Sequence, residues 1–115
     1  MSAYAIAHLR NPNPNPEVID YLRRIQATLD PYAGRFLVHG ATHEVLEGEL
    51  PGAVVVIGFP TLKAARDWYD SAPYQEILPL RTNNVDSTAF LVEGVTPDHD
   101  SAALGDAMAK AATGG

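Results

Sequence analysis

The sequence predicts an α+β domain whose elements follow the order strand, helix, strand, strand, helix, strand. Residues alternating with the two-residue period of a strand open the chain at Ser2–Leu9, and an almost continuous apolar run follows at Ala53–Phe59. A segment with apolar residues at helical spacing comes after each of these strands. The 115 residues are enough for one domain with one hydrophobic core.

The first strand divides into two faces. Its small face, which suits the close approach of a helix, consists of Ala3, Ala5, Ala7 and Leu9. Its other face carries Tyr4, Ile6 and His8. Arg10–Pro16 follows with three prolines in alternation, which prevent strand pairing and hold the chain extended. We interpret this segment as a connecting loop, in preference to a ligand for a proline-binding module.

The first helix has recognisable start and stop residues. Asn15 is a predicted N-cap, Pro16 suits the first helical position, and Gly34 is expected to be the left-handed residue that ends the helix. The predicted buried stripe consists of Val18, Leu22, Ile25, Leu29 and Tyr32, widened by Ile19.

A hairpin is predicted next. Arg35–Gly48 has strong β character in its first half, with Gly40 at a bulge or bend, and Gly48–Gly52 supplies turn residues. The following run, Ala53–Phe59, is typical of a strand covered on both faces.

The second half of the domain begins with a helix capped by Thr61. Its expected buried residues are Leu62, Ala65, Trp68, Tyr69 and Ala72. A short third helix containing Tyr74, Ile77 and Leu78 is expected to end at Pro79, and Val85–Val95 is the predicted last strand.

This order predicts a ferredoxin-like βαββαβ fold over residues 1–95, a four-stranded antiparallel sheet with two main helices on one face. Residues 96–115, rich in Ala, Gly and Asp, are a predicted C-terminal tail. Because Val54–Ile57 is apolar at every position, the sheet face without helices also needs cover. A second copy laid sheet to sheet would supply it, so we expect a homodimer of the dimeric α/β-barrel type.

Composition limits the function classes. The formal net charge of −6 disfavours binding to nucleic acid or to an anionic membrane surface. There is no cysteine, no apolar run of bilayer length and no signal-peptide pattern at the N-terminus, so we expect a cytoplasmic protein. No metal-ligand spacing and no phosphate-binding glycine loop is present, and we expect no metal and no cofactor.

Several segments together resemble a known family. They are Arg35–Gly40, Glu44–Gly48, Phe59-Pro60, Ala64–Ser71 and Tyr74. In combination they are similar to the family called domain of unknown function 1330, over roughly Tyr4 to Val95. The Asn-Pro triplet, Pro31 and the Ala-rich tail depart from its pattern.

The resemblance implies a dimeric α/β barrel but no reaction. The wider superfamily includes haem-degrading and polyketide monooxygenases, muconolactone-type isomerases and chlorite dismutases, so fold alone does not choose among them.

Six residues are candidates for a site between sheet and helices. His8, Arg35 and His39 are candidate catalytic residues, because imidazole can act as base or acid and guanidinium can hold a carboxylate or enolate oxygen. We expect His39 to share a face with Arg35 and Leu37. Candidate substrate-binding residues are Tyr69, Tyr74 and Arg81.

Each candidate has a structural alternative. Either histidine could be satisfied by a neighbouring group, which we favour for both, and Arg35 could pair with Glu47 across the hairpin. Three functions therefore stay open: a cofactor-independent isomerase or monooxygenase, a non-catalytic ligand-binding module, and a structural interaction unit.

Overall fold

The computed structural model describes residues 1–113 of the chain, and the last two residues of the tail lie outside this range. Its elements, in chain order, are β1 (Ala3–Leu9), α1 (Pro16–Leu29), β2 (Arg35–His39), β3 (Ala53–Phe59), α2 (Leu62–Asp70), α3 (Ala72–Thr82), β4 (Ser87–Glu93) and α4 (Ser101–Ala112). A single 3-10 turn, Asp30–Tyr32, follows α1. No helix within residues 1–113 is long and apolar enough to cross a membrane.

The four strands form one antiparallel sheet in the order β2-β3-β1-β4. This is the predicted ferredoxin-like α+β fold. The small face of β1 lies toward the helices, as the alternation predicts, since Ala3 is fully buried and pairs with the buried Phe59. We call this side of the sheet the helix-side face and the opposite side the outer face.

The core lies between the helix-side face and helices α1, α2 and α3. Its buried residues are Tyr21, Ile25, Leu29, Ile57, Phe59, Ala65, Trp68, Tyr74 and Ile77. Because burial of apolar surface is the main favourable contribution to folding, this layer holds the helices on the sheet. The buried stripe of α1 includes Tyr21, which the prediction lacked, whereas Ile19 and Leu22 are exposed.

Both predicted N-caps are present. Asn15 Oδ1 accepts a hydrogen bond from Val18 N at 2.9 Å, and Thr61 Oγ1 accepts one from Ala64 N at 3.0 Å. The end of the first helical segment differs from the prediction, because the left-handed residue is Ala33, with φ 56°, and not Gly34. Gly34 serves close packing instead: a Cβ there would lie 2.6 Å from Phe59 Cε1.

Pro79 does not end the third helix, contrary to the prediction. α3 continues to Thr82, and the N–H groups of Asn83 and Val85 bond to the carbonyls of Pro79 and Arg81. A proline inside a helix donates no hydrogen bond and its ring crowds the carbonyl four residues earlier, but its own carbonyl still accepts a bond. The extra turn matters because it carries Arg81.

Much of the outer face is apolar, and no helix within residues 1–113 packs on it. Its apolar residues are Ile6, Val38, Val54, Val56, Phe90 and Val92. Phe90 is 49% exposed and Val92 is 42% exposed. The run Ala53–Phe59 is therefore packed on one face only in a single subunit.

The tail contains helix α4, which is capped by Asp100 and has no buried residue. Leu104 and Met108 are both more than half exposed. Within the described part of the chain, the tail adds nothing to the core.

Candidate functional site

The site begins with the small residues of the sheet. Ala5, Ala7 and Ala89 lie side by side on the helix-side face, where the register pairs Ala5 with Leu91 and Ala7 with Ala89. Methyl side chains fill little of the space between the sheet and the helices, whereas protein interiors normally pack without large voids. The result is a cavity of about 710 Å³ between the sheet and helices α1, α2 and α3.

The roof of this cavity is aromatic. Trp68 of α2 and Tyr74 of α3 have ring centroids 4.1 Å apart, and Tyr69 lies 5.5 Å from Tyr74. Trp68 is held by a hydrogen bond of 3.0 Å from its Nε1 to Thr28 Oγ1, which itself donates to Ile25 O. The roof is thus fixed by side-chain bonds as well as by packing.

Polar groups meet at one end of the roof. The hydroxyls of Tyr21 and Tyr74 are hydrogen-bonded at 2.8 Å, and both residues are buried. Burial raises the pKa of Tyr21 well above its ordinary value, and the neighbouring hydroxyl of Tyr74 acts in the same direction. Tyr21 therefore stays neutral and can donate a hydrogen bond.

Arg81 lies beside this tyrosine pair. It is only 7% exposed, its guanidinium carbon is 5.9 Å from the centre of the Tyr21 ring, and its Nη1 donates to Ser87 Oγ at 2.6 Å. The last turn of α3 places it there, where the partial negative charge of a helix C-terminus favours a cation.

His39 lines the cavity from the sheet. Its ring is stacked on Phe36, with centroids 4.0 Å apart and planes 2° from parallel. His39 is exposed overall, but partial burial of its imidazole lowers its pKa, so the ring is neutral at neutral pH and can accept a proton.

A β-bulge in β2 explains why His39 faces the helices. Phe36 pairs with Ile57 and Val38 with Val56, so Leu37 is left over between them. The prediction that His39 shares a face with Arg35 and Leu37 is therefore wrong. Arg35 pairs with Gly58 on the outer face and is exposed. It forms no ion pair with Glu47 within residues 1–113.

His8 also lies on the outer face, paired with Val54 and Thr88. Its Nε2 donates to Pro51 O at 2.6 Å, which is the structural alternative weighed for it. The prediction that His8 belongs to a site between sheet and helices is wrong, because His8 lies on the outer face and His39 on the helix-side face. Of the six candidates, the structure brings His39, Tyr69, Tyr74 and Arg81 to the cavity.

The comparison with known protein families concerns this same domain. Residues 2–95 match the family described as a domain of unknown function, DUF1330. The chain belongs to the DUF1330 family. A comparison with curated proteins gives no significant match.

Solved structures share the fold of this DUF1330 protein at low identity. A protein of unknown function from Rhodopseudomonas palustris has a TM-score of 0.63 and 17% identity, with 84% of each chain covered. SnoaB, a cofactor-independent oxygenase from Streptomyces nogalater, has a TM-score of 0.58 and 11% identity, with 86% of this chain and 98% of that chain covered.

A third solved structure is described as a dimeric ferredoxin-like protein of unknown function, from Jannaschia sp. CCS1. It has a TM-score of 0.56 and 13% identity, and the match covers 82% of this chain and all of that one (100%). At these identities the likeness shows the fold of this DUF1330 chain. Any statement about its chemistry has to be argued from its own residues.

Proposed function

We propose that the protein is a homodimer that binds an apolar small molecule in the cavity of each subunit. The cavity itself carries the proposal, because about 710 Å³ of empty space lies within the size range of ligand sites. A space of this size costs packing energy, and larger residues at Ala5, Ala7 and Ala89 would fill it. Alanine at all three positions keeps the space open for an occupant.

The outer face supports the dimer. Its apolar residues include Val56 at the centre of the sheet and the half-exposed Phe90, and contiguous exposed apolar surface marks an interaction site. A second copy of the same sheet, related by a two-fold axis, would cover these apolar residues with an identical surface. The similar fold from Jannaschia is described as dimeric, which agrees with this arrangement.

Proton transfer on the bound molecule is a second candidate function, favoured by His39. A neutral imidazole at the wall of an apolar cavity is suited to take a proton from a carbon acid. Returning that proton to another carbon would make the protein an isomerase. Reaction of the resulting carbanion with dioxygen would make it a cofactor-independent oxygenase, the activity described for SnoaB. A binding module would need only the cavity.

A fluorescence titration tests the proposed binding. The probe is N-phenyl-1-naphthylamine, a neutral aromatic molecule whose emission rises in apolar surroundings. We expect saturable binding to the wild-type chain and a loss of at least about tenfold in affinity for Ala7→Leu, since the larger side chain occupies the cavity. The matched control is Ala27→Leu on the exposed side of α1, which leaves binding unchanged. Equal binding by both variants would place the probe elsewhere and contradict the proposal.

Native mass spectrometry of the freshly purified protein tests the assembly and the natural occupant together. We expect a dimer mass that carries an additional small molecule, lost in Ala7→Leu. A structural interaction unit would give a dimer with no added mass and no binding of the probe.

A further inference from the structure

Arg81 brings a positive charge to the cavity, and no ion pair within residues 1–113 compensates it. The ion pairs within residues 1–113 involve Arg10, Arg24 and Lys63, and none involves Arg81. Yet Arg81 is only 7% exposed, and the side chains that offer oxygen atoms to its guanidinium, Ser87, Tyr21 and Tyr74, are all uncharged. A buried cation without an anion is costly, so proteins normally pair such a charge.

The groups around Arg81 do not supply a negative charge. The hydroxyls of Tyr21 and Tyr74 hold each other at 2.8 Å, and burial keeps Tyr21 neutral. The C-terminal end of α3 compensates part of the charge with its partial negative dipole. Within residues 1–113 the structure therefore gives Arg81 no negatively charged side chain as a partner.

The cavity has room for a negatively charged group beside Arg81. Arg81, Tyr21 and Tyr74 all line it, next to the apolar floor formed by the alanines of β1 and β4. An arginine guanidinium matches a carboxylate in geometry and forms charge-assisted bonds with it. The tyrosine pair adds a hydroxyl that can donate to the same oxygen atoms.

We propose that the ligand is an apolar organic acid whose carboxylate is bound by Arg81, with the apolar body lying over Ala5, Ala7 and Ala89. This inference rests on the proposed binding function and names its ligand class. It also explains why the third helix continues past Pro79: the extra turn carries the residue that binds the acid.

Two probes with one ring system separate this inference from the proposed function. They are 2-naphthoate, which carries a carboxylate, and 2-naphthamide, its uncharged counterpart, titrated by calorimetry into the full chain. We expect the wild type to bind both and to prefer 2-naphthoate by about tenfold or more, since bonds to charged groups contribute more than neutral ones. Arg81→Gln should lose about tenfold to a hundredfold in affinity for 2-naphthoate. Its affinity for 2-naphthamide should stay the same.

The matched control is Arg23→Gln, because Arg23 is exposed on α1 away from the cavity lining and its removal takes away the same net charge. We expect less than about a twofold change for either probe, as exposed charges are screened by solvent. Equal affinity of the wild type for the two probes, or equal losses of both in Arg81→Gln, would overturn the assignment of Arg81 and leave apolar binding intact. Binding of neither probe would overturn the proposed function, and this inference with it.

Arg81→Lys keeps the test decisive if the glutamine variant does not fold. Lysine retains the charge and loses the planar fork, so 2-naphthoate should bind more weakly while 2-naphthamide is unaffected. A purely structural role for Arg81 would instead change the binding of both probes in the same proportion.

Discussion

Tyr21 of α1 and Tyr74 of α3 are joined by a hydrogen bond of 2.8 Å between their buried hydroxyls. Their rings meet edge to face, with centroids 6.2 Å apart and planes 67° from parallel. This contact ties the two helices together above the cavity. Because the two hydroxyls bond to each other, removing one takes this hydrogen bond away from the second.

The two hydroxyls of this pair should not contribute independently to the free energy of unfolding. We expect Tyr74→Phe to lower the free energy of unfolding by about 1–3 kcal/mol, because a buried hydroxyl without a partner keeps its full desolvation penalty. The double variant Tyr21→Phe/Tyr74→Phe should cost less than the sum of the single variants, as a double-mutant cycle in urea will measure. Tyr32→Phe is the control: its hydroxyl makes no hydrogen bond within residues 1–113, and we expect a change under about 0.5 kcal/mol. Additive losses would show that the hydroxyls do not act as a pair.

The proposed dimer depends on the outer face of the sheet. Val56→Lys places a charge at its centre, and burying that charge against a second copy would be unfavourable. We expect sedimentation at micromolar concentration to give half the wild-type mass, with an unchanged circular dichroism spectrum. Ile19→Lys, on the exposed side of α1, should keep the wild-type mass. A wild-type chain that sediments as a monomer would contradict the dimer directly.

The fold was predictable because local signals agree with the final packing. The alternation at Ser2–Leu9 identifies the helix-side face of β1, and Asn15 and Thr61 have the side chains that cap a helix start. What local signals could not show is which residue contacts a distant strand. Gly34 follows a helix and so suggests a left-handed turn, but its role is to make room for Phe59, 25 positions later in the sequence.

The site was only partly predictable, and one residue explains most of the difference. The bulge at Leu37 inverts the alternation of β2, so a strict two-residue period gives the wrong face for His39. Tyr21 was missed although it lies three residues after Val18 and four before Ile25, the spacing of the buried stripe. That spacing was the available signal. Its hydroxyl partner, Tyr74, is 53 positions away and leaves no trace in the local pattern.

Gly34→Ala should destabilise the domain through overpacking. The new Cβ would lie 2.6 Å from Phe59 Cε1 and 2.9 Å from Leu29 Cδ2, and both of these residues are buried. We expect a loss of about 1–3 kcal/mol in the free energy of unfolding, measured in urea. Gly105→Ala is the control, because nothing lies within 4 Å of that Cβ and alanine favours the helix α4. A Gly34→Ala variant as stable as the wild type would mean that Phe59 moves aside without cost.

The lowered pKa of His39 predicts a pH dependence of stability with a definite sign. Burial lowers this pKa from 6.5 in the folded chain, so the unfolded chain binds the proton more tightly. Protonation of His39 therefore leaves the free energy of unfolding unchanged above about pH 6.5. Below that pH it lowers the free energy of unfolding as the pH decreases toward the folded pKa.

We expect His39→Gln to remove part of this fall, measured as the unfolding midpoint in urea between pH 8 and pH 5. The hydrogen bond and charge of Arg10 lower the pKa of Asp86, which moves the transition of this carboxyl further below the measured pH range. His99→Gln is the matched control, since His99 is exposed in the segment between β4 and α4, and it should reproduce the wild-type curve. Parallel curves of His39→Gln and the wild type down to pH 5 would mean that His39 is as solvated in the folded chain as in the unfolded one. That result would contradict the assignment of His39 as a base at the wall of the cavity.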